Sequence, residues 1–322
     1  MKGFKDPHNG GLTFCREGTK EKMEVGCGQC LGCRCDWRRM WAIRIAHEAT
    51  LHEYTGGNSF VTLTYRDPLE CNHEQLFRGD YVPHDWSLND RDLELFMKRL
   101  RRFFEPQRIR FFACGEYGRK CKHGVDLRRV SCPLCRVGRP HFHAALFNCS
   151  FPDLVAYHSD HSITRWTSPT LERLWRKGFV DVAPLTYESG AYIAGYILKK
   201  MTGVKGHDQY LSVDLEGEIT FLEPEFVRMS RNPGIGKEWF DKYFTDVFPS
   251  DEIPVPGKGV VRGVPRFYAE RFGEVFPERL EEIKKIREAF RREHADEYSP
   301  ERLMARYKCA QAKRKLFENE HK

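Results

Sequence analysis

Between Ser87 and Phe104 the apolar residues Leu93, Phe96, Met97 and Leu100 recur at intervals of three and four, which predicts an amphipathic helix over 87–104. Ser87 stands at its N-cap position, with acids in the first turn and bases in the last, each sign favourable at its end of the helix dipole. A second helix is expected at 35–54, where Trp37, Trp41, Ile45 and Ala49 repeat every four residues until "TGG" stops it. Elsewhere the pattern alternates or runs continuously apolar: "NSFVTLTY" (58–65), "RIRFFACGEY" (108–117), "PHFHAALF" (140–147) and "FVDVAPL" (179–185) read as strands. Residues 66–86 read as a loop, and "PTLERLWRKG" (169–178) and "SGAYIAGYILKKM" (189–201) as helices. After the first helix the order is β-α-β-β-α-β-α. That order predicts an α+β fold, an antiparallel sheet in a split βαβ arrangement with helices largely on one face and the other left for a ligand. Residues 202–262 mix turns with short strands, including "RNPGIG" (231–236), while 253–265 has the composition of a connector. Terminal helices follow, the last opening on Ser299 and Pro300 as N-cap and first helical residue.

The 322 residues, 40% of them apolar, are enough for one large or two modest domains. Lys and Arg outnumber Asp and Glu by 53 to 46, and a net charge of +7 favours a polyanionic partner. No stretch approaches the ~18 apolar residues of a membrane span, and the start "MKGFKDPHNGG" lacks the apolar core of a secretory signal. A cytoplasmic protein with no membrane partner is expected.

The 12 cysteines without an export signal point to metal ligands rather than a disulfide framework. "CGQCLGC" sets Cys27, Cys30 and Cys33 in a CxxCxxC run with Cys15 upstream, and Cys35 can replace Cys15 or Cys33. "CKHGVDLRRVSCPLC" supplies Cys121, His123, Cys132 and Cys135. Paired thiolates on a CxxC loop suit two corners of a zinc tetrahedron, so a structural Zn²⁺ is expected in each set.

Alternation along 140–147 sends His141 and His143 to one face, where two imidazoles can share a cation. Glu116, near the end of the preceding strand, can add a carboxylate oxygen. Such a mixed set suits Mg²⁺ or Mn²⁺ with positions left for water and phosphate oxygens. An isolated HxH is a weak pattern; its weight here comes from the neighbouring carboxylate and a downstream helix. On that helix Tyr192 and Tyr196 are four residues apart, Lys199 lies beside them, and Ile193, Ala194, Ile197, Leu198 and Met201 form the opposite, apolar arc. A phenol has a pKa near ~10 and needs a cation or a base to act as a nucleophile.

This combination resembles the HUH endonucleases of rolling-circle replication, whose motifs are a β-strand, a His-hydrophobic-His strand and a tyrosine helix. Here they read "FVTLTY" (60–65), "PHFHAALF" (140–147) and "YIAGYILKK" (192–200). With "CGQCLGCRCDWRRMWAIRIAHEA", "FFACGEYG" and "FVRMSRNPGIGKEWFDKY", the chain is similar over roughly residues 25–245 to the replication initiators of gokushoviruses, single-stranded DNA phages of the microvirus group. The resemblance implies a ferredoxin- or RRM-like core, with His141 and His143 as metal ligands, Glu116 as a further ligand, Tyr192 and Tyr196 as a nucleophile pair and Lys199 as the motif lysine. It implies a single-stranded DNA origin as substrate and a phosphotyrosine intermediate, in a host bacterial cytoplasm. Lys200 and Arg231 are the expected DNA contacts. No GxxxxGK[ST] loop is present, so unwinding and synthesis fall to a host helicase and DNA polymerase. The expected organisation is a Cys-rich segment (1–34), an endonuclease domain (35–205) with a Cys/His insert at 119–138, a DNA-contacting extension (206–262) and a charged helical segment (263–322). Two rival readings are a non-catalytic, zinc-stabilised single-strand binder and a transposase or relaxase with the same chemistry.

Overall fold

The computed structural model describes residues 2–5, 12–13, 22–24, 28, 30–159, 164–196, 208–213 and 216–320. Its strands are β1 Lys2–Lys5, β2 Leu12–Thr13, β3 Lys22–Glu24, β4 Asn58–Thr64, β5 Arg110–Tyr117, β6 Pro140–Phe147, β7 Val155–Ser159, β8 Thr164–Thr167, β9 Val180–Ala183, β10 Leu211–Val213, β11 Ile219–Phe221, β12 Phe226–Met229, β13 Glu252–Val255 and β14 Gly259–Arg262. Its α-helices are α1 Leu31–Thr50, α2 His73–Arg78, α3 Asp90–Phe103, α4 Pro169–Trp175, α5 Tyr187–Tyr196, α6 Lys237–Val247, α7 Arg266–Val275, α8 Pro277–Glu293 and α9 Pro300–Glu320. The chain divides into two units. One joins residues 1–37 to 284–322 and contains the antiparallel sheet β2-β1-β3 and helix α9. The other, residues 38–283, is built on a seven-stranded sheet of order β12-β5-β6-β4-β9-β8-β7, antiparallel throughout.

Both faces of this sheet carry helices, whereas the sequence pattern predicts cover largely on one. Val61 and Leu63 of β4, Ala113 of β5 and Phe142 and Leu146 of β6 face Leu93, Phe96, Met97 and Leu100 of α3 and Leu171 and Trp175 of α4. On the opposite face Phe60, Phe112, Cys114, Ala145 and Phe147 meet Ile45 and Ala49 of α1 and Ile193 of α5. The cause lies in the strands, which are apolar on both sides for most of their length and so require cover on both. Gly190 lets α5 approach α1, since a Cβ there would sit 2.9 Å from Ile45 Cγ2. The Arg38 Nε donates to the Ala191 carbonyl at 2.7 Å and fixes the pair.

Several local expectations shift. The N-cap of α3 is Asn89, whose side chain accepts from the Arg91 amide, while Ser87 is buried and accepts from the Glu223 amide instead. The segment read as a connector forms the hairpin β13–β14, and the loop at 66–86 contains α2. Ser299 does cap α9, accepting from Arg302 at 3.3 Å.

A satellite core forms where Ile43 of α1 meets α6, α7 and β13. At its centre His47 is fully buried, its ring stacked 3.5 Å from Trp239. Its Nε2 lies 2.7 Å from the Pro254 carbonyl, which can only accept, so Nε2 carries the proton and Nδ1 accepts from the Tyr268 hydroxyl at 3.1 Å. Burial lowers its pKa from 6.5 to about 4, the Pro254 carbonyl acting in the opposite sense. The unfolded chain therefore takes up a proton that the folded chain refuses. Stability from this site is complete above pH 6.5 and erodes as pH falls toward 4, by about 3 kcal/mol in total. Urea unfolding at pH 7 and pH 5 is expected to show a steeper acid loss in the parent than in His47→Gln; equal losses would rule the assignment out.

Candidate metal centre

Three ligand groups converge on the α1/α5 face of the sheet, where β5 and β6 pair. The register sets Glu116 opposite His141 and Cys114 opposite His143, and on the other side of β6 it sets Thr64 opposite His141 and Thr62 opposite His143. Strand alternation then places Glu116, His141 and His143 together. Glu116 Oε1 is 2.6 Å from His141 Nε2 and 3.0 Å from His143 Nε2, and the two Nε2 atoms are 3.2 Å apart. Lone pairs of two imidazoles at that separation repel unless a proton or a cation lies between them. Adjacent ligands of an octahedral ion held at 2.0–2.1 Å are about 3 Å apart, so the spacing fits a small divalent cation.

The second nitrogen of each ring is also engaged. His141 Nδ1 lies 3.2 Å from the Arg139 carbonyl, and His143 Nδ1 lies 3.0 Å from Thr62 Oγ1. A proton on each Nδ1 satisfies these bonds and turns both Nε2 lone pairs toward the shared point. Glu116 is buried, which alone would push its carboxyl up, but the charges and hydrogen bonds of His141 and His143 outweigh burial and hold it well below the usual carboxylate range. It stays ionised, as a cation ligand must.

Tyr192 belongs to this face. Its half-buried ring lies 5.2 Å from that of His143 and 6.2 Å from that of Phe60, so it packs on the sheet rather than lying opposite the apolar arc. Tyr196 closes α5, while Lys199 and Lys200 lie outside the described residues. Arg231 stands on an exposed turn after β12.

Sequence reasoning passes over two neighbours on the same face. Thr62 holds His143, and Asp181 pairs with Thr62 one strand further out, accepting from the Tyr157 hydroxyl at 3.0 Å. Burial raises the Asp181 carboxyl, against the hydrogen bond from Tyr157 and the charge of Arg165. The signal is available: the alternation in "FVTLTY" fixes the face of Thr62 once its strand is paired with β6.

The second cluster lies on the connection between β5 and β6. Sγ of Cys121, Cys132 and Cys135 and a ring nitrogen of His123 all lie within 4.8 Å of one another. His123 Nδ1 is 3.4 Å from Cys132 Sγ and 3.3 Å from Cys135 Sγ, close to the about 3.5 Å between nitrogen and sulfur corners of a zinc tetrahedron. Burial and the crowding thiols raise Cys135, while for Cys132 burial is outweighed by hydrogen bonds from the Leu134 amide and its neighbours. Such a crowd ionises fully only around a cation. In the other expected set Cys15 and Cys27 lie outside the described residues, Cys30 directly precedes α1, and Cys33 and Cys35 are near its start.

Together these features define an α+β protein whose central antiparallel sheet presents a carboxylate and two imidazoles as a cation site, with a tyrosine at its edge. The chain belongs to the family of replication-associated proteins typified by ORF2, whose model matches residues 58–201. It is 32% identical over 272 residues to the replication-associated protein ORF2 of Spiroplasma virus 4, covering 82% of this chain and 73% of that protein. It is 28% identical over 262 residues to the replication-associated protein VP4 of Bdellovibrio phage phiMH2K, covering 79% and 69% respectively. A third relative, the replication-associated protein ORF4 of Chlamydia phage 1, is 26% identical over 252 residues, 76% of this chain and 52% of that protein. No solved structure matches the chain.

Proposed function

We propose that this chain initiates phage genome replication by nicking single-stranded DNA at an origin and later rejoining it, through an HUH-type tyrosine mechanism. The observation that carries the reading is the convergence of Glu116, His141 and His143 within 3.2 Å of one another, with the Tyr192 ring against His143. The strand order β5-β6-β4-β9, with α3 and α4 as the helical crossovers on one face, supports a split βαβ core. A Mg²⁺ or Mn²⁺ ion held by the three ligands would polarise the scissile phosphate. The phenolic oxygen of Tyr192 or Tyr196 attacks phosphorus and gives up its proton. The bond to the 3′ oxygen breaks, and that oxygen leaves as a hydroxyl for a host polymerase to extend. Attack by a later 3′ hydroxyl reverses the transfer and releases the tyrosine, with Lys199 positioned by sequence to favour the ionised phenol. Unwinding is assigned to a host helicase, in the bacterial cytoplasm. The relatives' names favour replication over transposition or conjugative transfer.

Incubation with a single-stranded origin oligonucleotide and Mn²⁺ is expected to give a covalent protein–DNA adduct that survives denaturation and whose formation is blocked by chelation. Tight binding with intact DNA would instead establish the non-catalytic binder.

The Cys121, His123, Cys132 and Cys135 cluster is read as a structural zinc site, with a second ion expected at Cys15, Cys27, Cys30 and Cys33. Replacing Cys132 and Cys135 by serine is expected to lower bound zinc by one equivalent per chain in atomic emission, and to open residues 119–138 to protease while the central sheet persists. Unchanged zinc content would remove the assignment.

A further inference from the structure

At the end of β5 opposite Glu116, a cavity of about 360 Å³ is lined by Arg101, Arg108, Arg110 and Arg231, with Glu105 as the one acid among its lining residues. Arg101 comes from α3, Arg108 and Arg110 from the entry to β5, and Arg231 from the turn after β12. Two basic stretches far apart in the chain, "KRLRRFF" and "RMSRNPGIGK", therefore meet at one place. The framework around them is fixed. Arg108 Nη2 donates to the Asn232 carbonyl at 2.9 Å, and Ser230 Oγ accepts from the Phe111 amide at 3.1 Å, leaving its hydroxyl proton to donate elsewhere.

Arg110 supplies the second observation. It is only 2% exposed, its Nε donates to Glu48 and its Nη2 to the Pro233 carbonyl at 3.0 Å, yet its Nη1 has no hydrogen-bond partner among the described residues. A buried guanidinium donor left unmatched costs free energy, and such a group calls for an acceptor. Arginine forks match the oxygens of a tetrahedral oxyanion, and the surplus of positive charge in this cavity sets the sign of its occupant.

We propose that this cavity is an oxyanion site that takes a phosphate group, distinct from the Glu116, His141 and His143 centre. Arg110 and Glu116 are the first and seventh residues of β5, so the two sites are about 20 Å apart along one strand. In a DNA-replication protein the natural source of the phosphate is the backbone of a bound strand. The site would then grip DNA well away from the proposed point of cleavage. Phosphate binding here does not require nicking, and it stands if only DNA binding is found.

The test uses the full chain and two probes, inorganic phosphate followed by calorimetry and a labelled single-stranded oligonucleotide followed by anisotropy across a salt series. Arg101→Ala with Arg231→Ala is the principal variant, and Arg231→Glu alone, on an exposed turn, guards against a folding defect in the pair. Phosphate affinity is expected to fall at least about tenfold in both. The slope of log affinity against log salt is expected to shrink by about 0.7 for each DNA phosphate no longer neutralised. A change confined to phosphate assigns the site to a free anion, and a change confined to the oligonucleotide assigns it to the DNA backbone; either supports an oxyanion site. Parent-like behaviour of both variants with both probes overturns it.

Discussion

Replacing Tyr192 and Tyr196 together by phenylalanine is expected to abolish the covalent DNA adduct, lowering strand cleavage by about 10³-fold or more. Each substitution removes one hydroxyl and keeps the ring, so the packing of Tyr192 against His143 and Phe60 persists. Near-ultraviolet circular dichroism should match the parent. Each single variant retains one phenol and is expected to lose one of two successive transfers, so adduct and rejoined product separate on a denaturing gel. Mass spectrometry of the DNA-linked peptide then names the residue that attacks first. Persistent cleavage by the double variant would retire the tyrosine mechanism while leaving the cation site intact.

The second large effect concerns stability. Glu48 is fully buried and gathers Arg110 of β5, the Gly236 amide at 2.7 Å and, at 3.9 Å, His52. Burial opposes its charge, but His52, the Gly236 amide and Arg110 outweigh burial and hold its carboxyl below the usual range. One carboxylate thereby joins α1, the central sheet and the turn at 231–236. Glu48→Ala strands a buried guanidinium and is expected to cost about 3–5 kcal/mol, read as a lowered urea midpoint. Exchanging both partners for apolar residues, Glu48→Leu with Arg110→Met, should recover much of that loss because no unpaired charge remains. If the single variant unfolds at the parent's urea concentration, the pair does not bear on stability.

The site is more legible in the sequence than its surroundings. His141, His143 and Glu116 can be read from "PHFHAALF" and "FFACGEYG" because strand alternation fixes faces without any long-range knowledge, and β6 occupies 140–147 as the pattern predicts. Cys121, His123, Cys132 and Cys135 are equally visible, since their chemistry lies in the spacing. Thr62 and Asp181 are not, because their relevance depends on which strands are neighbours, and the chain does not announce that β4 lies between β6 and β9. The double helical cover escapes for a related reason: the β-α-β-β-α-β-α count begins after helix 35–54, although Phe60, Phe112 and Phe147 need that helix as cover. Ser87 has no capping role because a distant backbone amide, that of Glu223, claims its hydroxyl. Such competition has no local signature.

The connection between β5 and β6 spans residues 118–139, yet its ends are held by paired backbone from Gly118 to Arg139 and from Lys120 to Asp126, leading directly into the four-residue Cys/His cluster. A slack loop of that length would carry a closure entropy that invites its stem to fray, and the stem is where Glu116 and His141 sit side by side. Clipping the loop shut with one ion stiffens the seat of another, so thiol oxidation at the tip should be felt as slackness at the hinge of the hairpin below.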